Sequence, residues 1–213
     1  MSAPQTSTAI LGYGSLVNVA SLCRTLPGYE QGDLVPVRVD GWQRVFRLIS
    51  LGRGKPRMPL GSGQRVAVLD VVPRCGAQLN AVRFEVPAAQ LPVLDRRESS
   101  YDRIDRVPWR GFFDGTHRGE ASIYRSSPAA VLRARAPDRF DEQIAPLAAE
   151  GLVSERILPV DDYLALCISG AYAWGRAFGD AFVHSTILGD GRGLLTYGPA
   201  ARLAEVARAS PNR

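Results

Sequence analysis

Apolar residues fall into short runs and two-residue alternations over the first part of this chain and into a helical stripe near its end. Ala9-Ile10-Leu11 is an apolar run that stops at Gly12-Tyr13-Gly14, the pattern of a strand delivering the chain into a tight loop. Gly12 and Gly14 permit positive φ and a close main-chain approach to a ligand. A short helix is expected from near Asn18. Val35 to Ser50 alternates as one long strand through Val35, Val37, Val39, Val45, Phe46 and Leu48, interrupted at Gly41-Trp42 by a bulge or bend. Leu51 to Gly63 holds four glycines and two prolines and reads as a loop. Arg65–Val72 and Gln78–Val86 then form a β-hairpin around a turn at Pro73-Arg74-Cys75-Gly76. Pro87 opens a helix that runs through Leu91 and Leu94 to Arg97 or Glu98. Strands follow at Tyr101–Val107, with Tyr101, Arg103, Asp105 and Val107 on one face, and at Gly119–Tyr124.

Beyond Ser126 the pattern turns helical. Pro128–Arg139 has the composition of a short helix plus loop, and Asp141–Glu150 is helical in composition but broken by Pro146. Asp161 or Asp162 can cap a helix whose stripe is Leu164, Cys167, Ile168, Ala171, Tyr172 and Gly175, extended by Phe178, Phe182 and Val183. Ala200–Ala209 is a final helix. Strands first with one inserted helix, then helices, is an α+β order. Five to six strands in a strongly bent sheet predict a small, mixed, partly closed β-barrel with flanking helices. The 213 residues, 46% hydrophobic, suit a single domain over 1–213, with its core at about 8–125 and a helical extension at about 126–213.

Composition narrows the chemistry. The net charge of +5 is almost all arginine, with Lys55 the only lysine, and the arginines are interspersed with acids. That dispersal argues against a nucleic-acid surface. Arg53-Gly54-Lys55-Pro56-Arg57 is the densest basic stretch and reads as a solvated loop, with Arg53 or Arg57 open to a carboxylate contact. No apolar run approaches the roughly 20 residues of a membrane span, and Met1–Thr8 lacks the form of a secretory signal, so the expected location is cytoplasmic. Cys23, Cys75 and Cys167 are few and far apart, as reduced thiols are. With His117 and His184 as the only histidines, no metal site and no cofactor are expected.

The candidate chemistry lies in two places. After Gly14, the N–H groups of Ser15, Leu16 and Val17 can form a nest that favours an anion, helped by the positive end of the following helix. An ordinary β-turn before a surface helix has the same local signature. The second place is Glu98. A carboxylate at a helix C-terminus stands against the helix dipole, which raises its proton affinity toward that of a general base. Its neighbours Arg96, Arg97 and Arg103 act in the opposite direction. Tyr13 and Tyr101 are placed either to hydrogen-bond a guest or to pack as wall. A cysteine hydrolase pairing Cys23 or Cys167 with His117 or His184 is a further possibility, although thiols on apolar helix faces are usually inert.

Three stretches taken together resemble the γ-glutamyl cyclotransferase-like family. They are Ile10-Leu11-Gly12-Tyr13-Gly14-Ser15-Leu16, Val39-Asp40-Gly41-Trp42-Gln43-Arg44, and Leu94-Asp95-Arg96-Arg97-Glu98-Ser99-Ser100-Tyr101-Asp102-Arg103. The resemblance spans roughly residues 8–125 and does not reach Leu152–Arg213. It implies a small mixed barrel with helices around it. It implies that Tyr13, Gly14, Ser15 and Leu16 hold the carboxylate end of a small-molecule γ-glutamyl substrate. It implies that Glu98 is the catalytic acid-base, in a reaction that releases 5-oxoproline without a cofactor. Ser99 stands where the family often has glycine. A module of the same fold that binds a γ-glutamyl or carboxylate ligand without turnover is the alternative.

Overall fold

The computed structural model describes residues 6–50, 66–127, 130 and 157–210. The expected loop at Leu51–Gly63 and the helical stretches at Pro128–Arg139 and Asp141–Glu150 lie outside the described residues, apart from Ala130.

Six strands form one mixed sheet: β1 (Ser7–Gly12), β2 (Val35–Ser50), β3 (Val66–Pro87), β4 (Tyr101–Gly111), β5 (Arg118–Ser126) and β6 (Thr186–Leu188). Their order is β3-β1-β5-β4-β2-β6, and β2 also pairs with β3, so hydrogen bonding runs around a ring of five strands with β6 attached to β2. β1 is antiparallel to β3 and parallel to β5. The sheet is ring-like and mixed, with helices on its flanks, which is the α+β arrangement expected from the sequence. Its interior is filled by alternate strand residues, among them Ile10, Val37, Val39, Phe46, Leu69, Val71 and Phe84, all buried.

Five helices complete the described fold: α1 (Val19–Cys23), α2 (Leu91–Arg97), α3 (Asp161–Tyr172), α4 (Arg176–Ser185) and α5 (Gly198–Ala209). α3 buries Leu164, Cys167, Ile168, Ala171 and Tyr172, the stripe read from the sequence. It packs on α4, α5 and the turn that follows β1. No helix among the described residues is long and apolar enough to cross a membrane.

Several local expectations are corrected by long-range pairing. The two runs at 65–72 and 78–86 do not form a hairpin. They are one continuous strand, β3, paired antiparallel with β2 from Val35↔Arg83 to Ser50↔Val66. The turn-like Pro73–Gly76 segment is accommodated as an irregularity, because Trp42 pairs with Pro73 while Asp40 pairs with Gln78. Gly41 and Gly76 both take positive φ there, +78° and +75°, so the whole ribbon bends at the Gly41 bulge. Pro87 ends β3 instead of opening the helix. Gln90 caps α2, and Pro92 sits in its first turn.

The single face expected for Tyr101, Arg103, Asp105 and Val107 is broken by a register shift between Ile104 and Val107, where Arg106 has φ +58°. Val160 caps α3, with Asp161 and Asp162 inside its first turn, where they complement the helix dipole. Phe178, Phe182 and Val183 belong to a separate helix, α4, because α3 ends at Tyr172 with Ala173 as its C-cap and Gly175, at φ +98°, is the N-cap of the next. The three-residue β6 carries too little pattern to be read locally.

Candidate functional site

β1 ends at Gly12, and the chain turns at once through a 3₁₀ turn, Ser15–Val17, into α1. The Asn18 side chain caps α1 by accepting from the Ser21 N–H at 3.0 Å. The Trp174 indole donates to the Val17 carbonyl at 3.0 Å and so ties the corner to the C-terminal helices. Gly12 and Gly14 do not use positive φ; Gly14 sits at φ −117°. They are glycines for space. A Cβ on Gly12 would meet the Leu16 Cβ at 2.8 Å, and one on Gly14 would meet the Tyr163 hydroxyl at 3.2 Å. Gly12→Ala is therefore expected to cost about 1–2 kcal/mol, an overpacking penalty partly offset by unfolded-state entropy. A urea titration checks this, and a variant as stable as the parent would contradict it.

The set of N–H groups left for the expected nest is shifted by one residue. The Val17 N–H is used internally, donating to the Gly14 carbonyl at 3.0 Å to close the 3₁₀ turn. The N–H groups of Gly14, Ser15 and Leu16 enter no main-chain hydrogen bond among the described residues.

Glu98 is the C-cap of α2, and its N–H donates to the Leu94 carbonyl at 2.9 Å. Its carbonyl accepts from the Tyr101 N–H at 2.8 Å, which turns the chain directly into β4. The residue is only 9% exposed. It is thus not a surface glutamate, yet it does pair with a neighbouring arginine. Arg97 Nε lies 3.1 Å from Glu98 Oε1, with both side chains about one-tenth exposed. The same guanidinium donates to the Ser15 hydroxyl at 3.1 Å, the Ser21 carbonyl at 2.8 Å and the Thr25 hydroxyl at 3.0 Å. Arg97 therefore bolts the acid to the corner across 82 positions of sequence.

Tyr13, Gly14, Ser15, Leu16, Glu98 and Tyr101, the six residues singled out in the sequence, line one small cavity of about 300 Å³, part of it open to solvent. Sequence reasoning missed four further walls: Leu11, Leu69, Tyr124 and Tyr163. Tyr163 stands one turn before Cys167 at the edge of the α3 stripe, a spacing visible in the sequence. Its meeting with a loop some 150 positions earlier is not. Tyr101 donates to the Leu69 carbonyl at 2.7 Å. Tyr124 donates to Asp95 at 2.6 Å, and Asp95 is gripped by Arg103 at 2.8 and 2.9 Å. Burial pushes the Tyr13 and Tyr163 hydroxyls well above the usual phenol range, and Tyr124 is also raised, by burial and then by Asp95. These three phenols are neutral near pH 7, able to donate or accept a hydrogen bond but not to act as bases.

Among the described residues, neither Cys23 nor Cys167 pairs with a histidine. Cys23 donates to the Tyr29 carbonyl at 3.0 Å, and the Cys167 thiol is buried beside Tyr163 with its pKa pushed up to about 12, chiefly by burial. His117 sits with Asp114 on the exposed β4–β5 turn, and His184 Nδ1 lies 2.7 Å from the Asp180 carbonyl oxygen. Whatever activity the cavity supports is expected to survive iodoacetamide under native conditions. Loss of activity in step with Cys167 alkylation would restore the thiol hypothesis.

No protein-family model matches the chain, and no curated protein matches it. Among solved structures, it is similar to a yeast γ-glutamyl cyclotransferase specific to glutathione, at 14% identity over 98% of this chain and 100% of that one, with a TM-score of 0.49. A structure described as a γ-glutamyl cyclotransferase aligns at 13% identity over 73% of this chain and 90% of that one, with a TM-score of 0.43. A protein of Arabidopsis thaliana solved in solution aligns at 20% identity over 66% and 78%, also with a TM-score of 0.43.

Proposed function

We propose that this chain is a γ-glutamyl cyclotransferase-type enzyme that releases 5-oxoproline and an amine or peptide from a γ-glutamyl compound. The observation that carries the reading is the shared cavity: the Tyr13–Leu16 corner and the nearly buried Glu98 line the same small space.

The chemistry needs few parts. The α-amino nitrogen of the substrate attacks its own γ-carbonyl carbon, the new C–N bond closes a five-membered lactam, and the old γ-amide C–N bond breaks. Both reacting groups belong to one molecule, so holding the γ-glutamyl arm folded supplies much of the rate. The corner anchors the α-carboxylate through the Gly14, Ser15 and Leu16 N–H groups. The rings of Tyr13, Tyr101, Tyr124 and Tyr163 wall the arm into its bent form.

Glu98 takes a proton from the α-ammonium; once the C–N bond has formed the attacking nitrogen gives up a second proton, and the departing nitrogen receives both and leaves as an ammonium, so the carboxylate is ionised at the start and again at the end. Arg97 Nε lies 3.1 Å from its Oε1. No electrons change hands, and proton transfer closes within the site.

The test is a panel of γ-glutamyl peptides and amines assayed for 5-oxoproline release. Release from at least one class supports the reading. Saturable binding without release from any of them would favour the binding module of the same fold, and neither binding nor release would overturn both.

A further inference from the structure

Arg44 is completely buried, and its recorded contacts are with neutral groups. Its Nε donates to the Tyr13 carbonyl at 2.8 Å. One terminal nitrogen reaches the Thr186 hydroxyl at 3.1 Å, the Phe182 carbonyl at 3.3 Å and the Ser185 hydroxyl at 3.4 Å. The other bonds to the Asn80 carbonyl and, at 3.1 Å, to the Asn80 side-chain oxygen. The guanidinium also lies 3.8 Å from the centre of the Phe182 ring. A cation removed from water without an anion is costly, and burial accordingly pushes this guanidinium down to about 9.

The acids around the corner already have partners. Glu98 has Arg97 at 3.1 Å, Asp70 has Arg47 at 2.9 Å, and Asp95 has Arg103 at 2.8 Å. The ionisable neighbours of Arg44, which are Tyr13, Tyr163 and Cys167, are held neutral by burial. Among the described residues, Arg44 is a buried positive charge with no negative partner.

The Tyr13–Gly14 peptide links that charge to the cavity. The peptide is planar and trans, so a carbonyl fixed toward Arg44 sends the Gly14 N–H off the opposite edge. Gly14 lines the cavity. A donor on the carbonyl oxygen polarises the peptide and strengthens the N–H at its other end. We infer that Arg44 is a positioning residue that makes the Tyr13–Leu16 corner select an anionic group on its guest, acting through the Tyr13–Gly14 peptide without touching the ligand. The identity of that anion as an α-carboxylate rests on the cyclotransferase reading; the charge selection does not require turnover.

The experiment titrates two probes by calorimetry: 5-oxoproline and its primary amide, which differ only in the charged group. The parent is expected to bind the carboxylate at least tenfold more tightly than the amide. Ser185→Asp sets a carboxylate beside Arg44 from a half-buried position. It is expected to leave the midpoint of thermal unfolding no lower, to keep the amide affinity within about twofold, and to reduce the carboxylate preference below threefold. Arg44→Lys, which keeps the charge, is expected to retain part of the preference, and Arg44→Met to lose it. A parent with no preference, or a folded Ser185→Asp that keeps it, overturns the inference. Should Arg44→Met fail to fold, Ser185→Asp decides alone. Loss of the preference in Ser185→Asp with no 5-oxoproline formed by the parent from any substrate would sink the enzyme reading and keep this one. Turnover by the parent with the preference intact in Ser185→Asp would do the reverse.

Discussion

Glu98→Gln is expected to lower the turnover of any γ-glutamyl substrate by 10²–10⁴, the usual worth of a positioned acid-base group, while leaving the fold in place. The amide is isosteric with the acid and fits the same small space. It cannot take the ammonium proton. The cost to stability is the ion pair with Arg97, whose partner becomes neutral in a site where both side chains are about one-tenth exposed. About 1–3 kcal/mol is the expected loss for such a charged hydrogen bond. Arg97 keeps its bonds to Ser15, Ser21 and Thr25, so the corner stays attached to α2. The measurement is 5-oxoproline released per enzyme under saturating substrate, beside a denaturant titration of each protein. Parent-like release from the glutamine variant would remove Glu98 from the mechanism.

The second large effect is expected at a residue outside the cavity lining. Gly170 lies on α3 where that helix crosses the chain at Asn18. A Cβ there would sit 2.7 Å from the Asn18 Cβ, 2.9 Å from its Cα and 3.0 Å from its N. Two of those atoms are main chain and cannot swing aside. The substitution to Ala gains about 0.5–1 kcal/mol of helix propensity but forces helix and corner apart, an overpacking cost of about 1–3 kcal/mol. Net destabilisation is therefore expected, with a larger loss for Gly170→Val. Asn18 caps α1 directly behind the corner, so turnover should fall along with stability. A Gly170→Ala protein at least as stable as the parent would mean that α3 rides freely on the corner.

What could be read from the sequence was what is local. The strand into Gly12, the bend at Gly41, the helix ending at Glu98 and the buried stripe of α3 are set by near neighbours, and each stands where the pattern put it. β3 defeated a local reading because Pro73 to Gly76 has turn chemistry, yet pairing with β2 over both flanks outweighs it. The glycine corner was located for an incomplete reason: its glycines answer to Leu16 and Tyr163, contacts made in three dimensions. Adjacency in sequence shows Arg97 only as a partner for Glu98, whereas its reach to Ser15 also makes it a strut. Tyr163 and Arg44 acquire their surroundings from segments remote in sequence, from 31 positions for the Tyr13 carbonyl to 142 for Thr186 in the case of Arg44, and no periodicity encodes that.

The socket around Arg44 also sets a timetable for synthesis. Its last partner, Thr186, follows it by 142 positions. At roughly 5–20 residues per second, the ribosome delivers that partner about 7–30 s after Arg44 itself emerges. Until then the socket lacks Phe182, Ser185 and Thr186, so all five strands of the ring are synthesised well before the buried guanidinium acquires its last neutral partners.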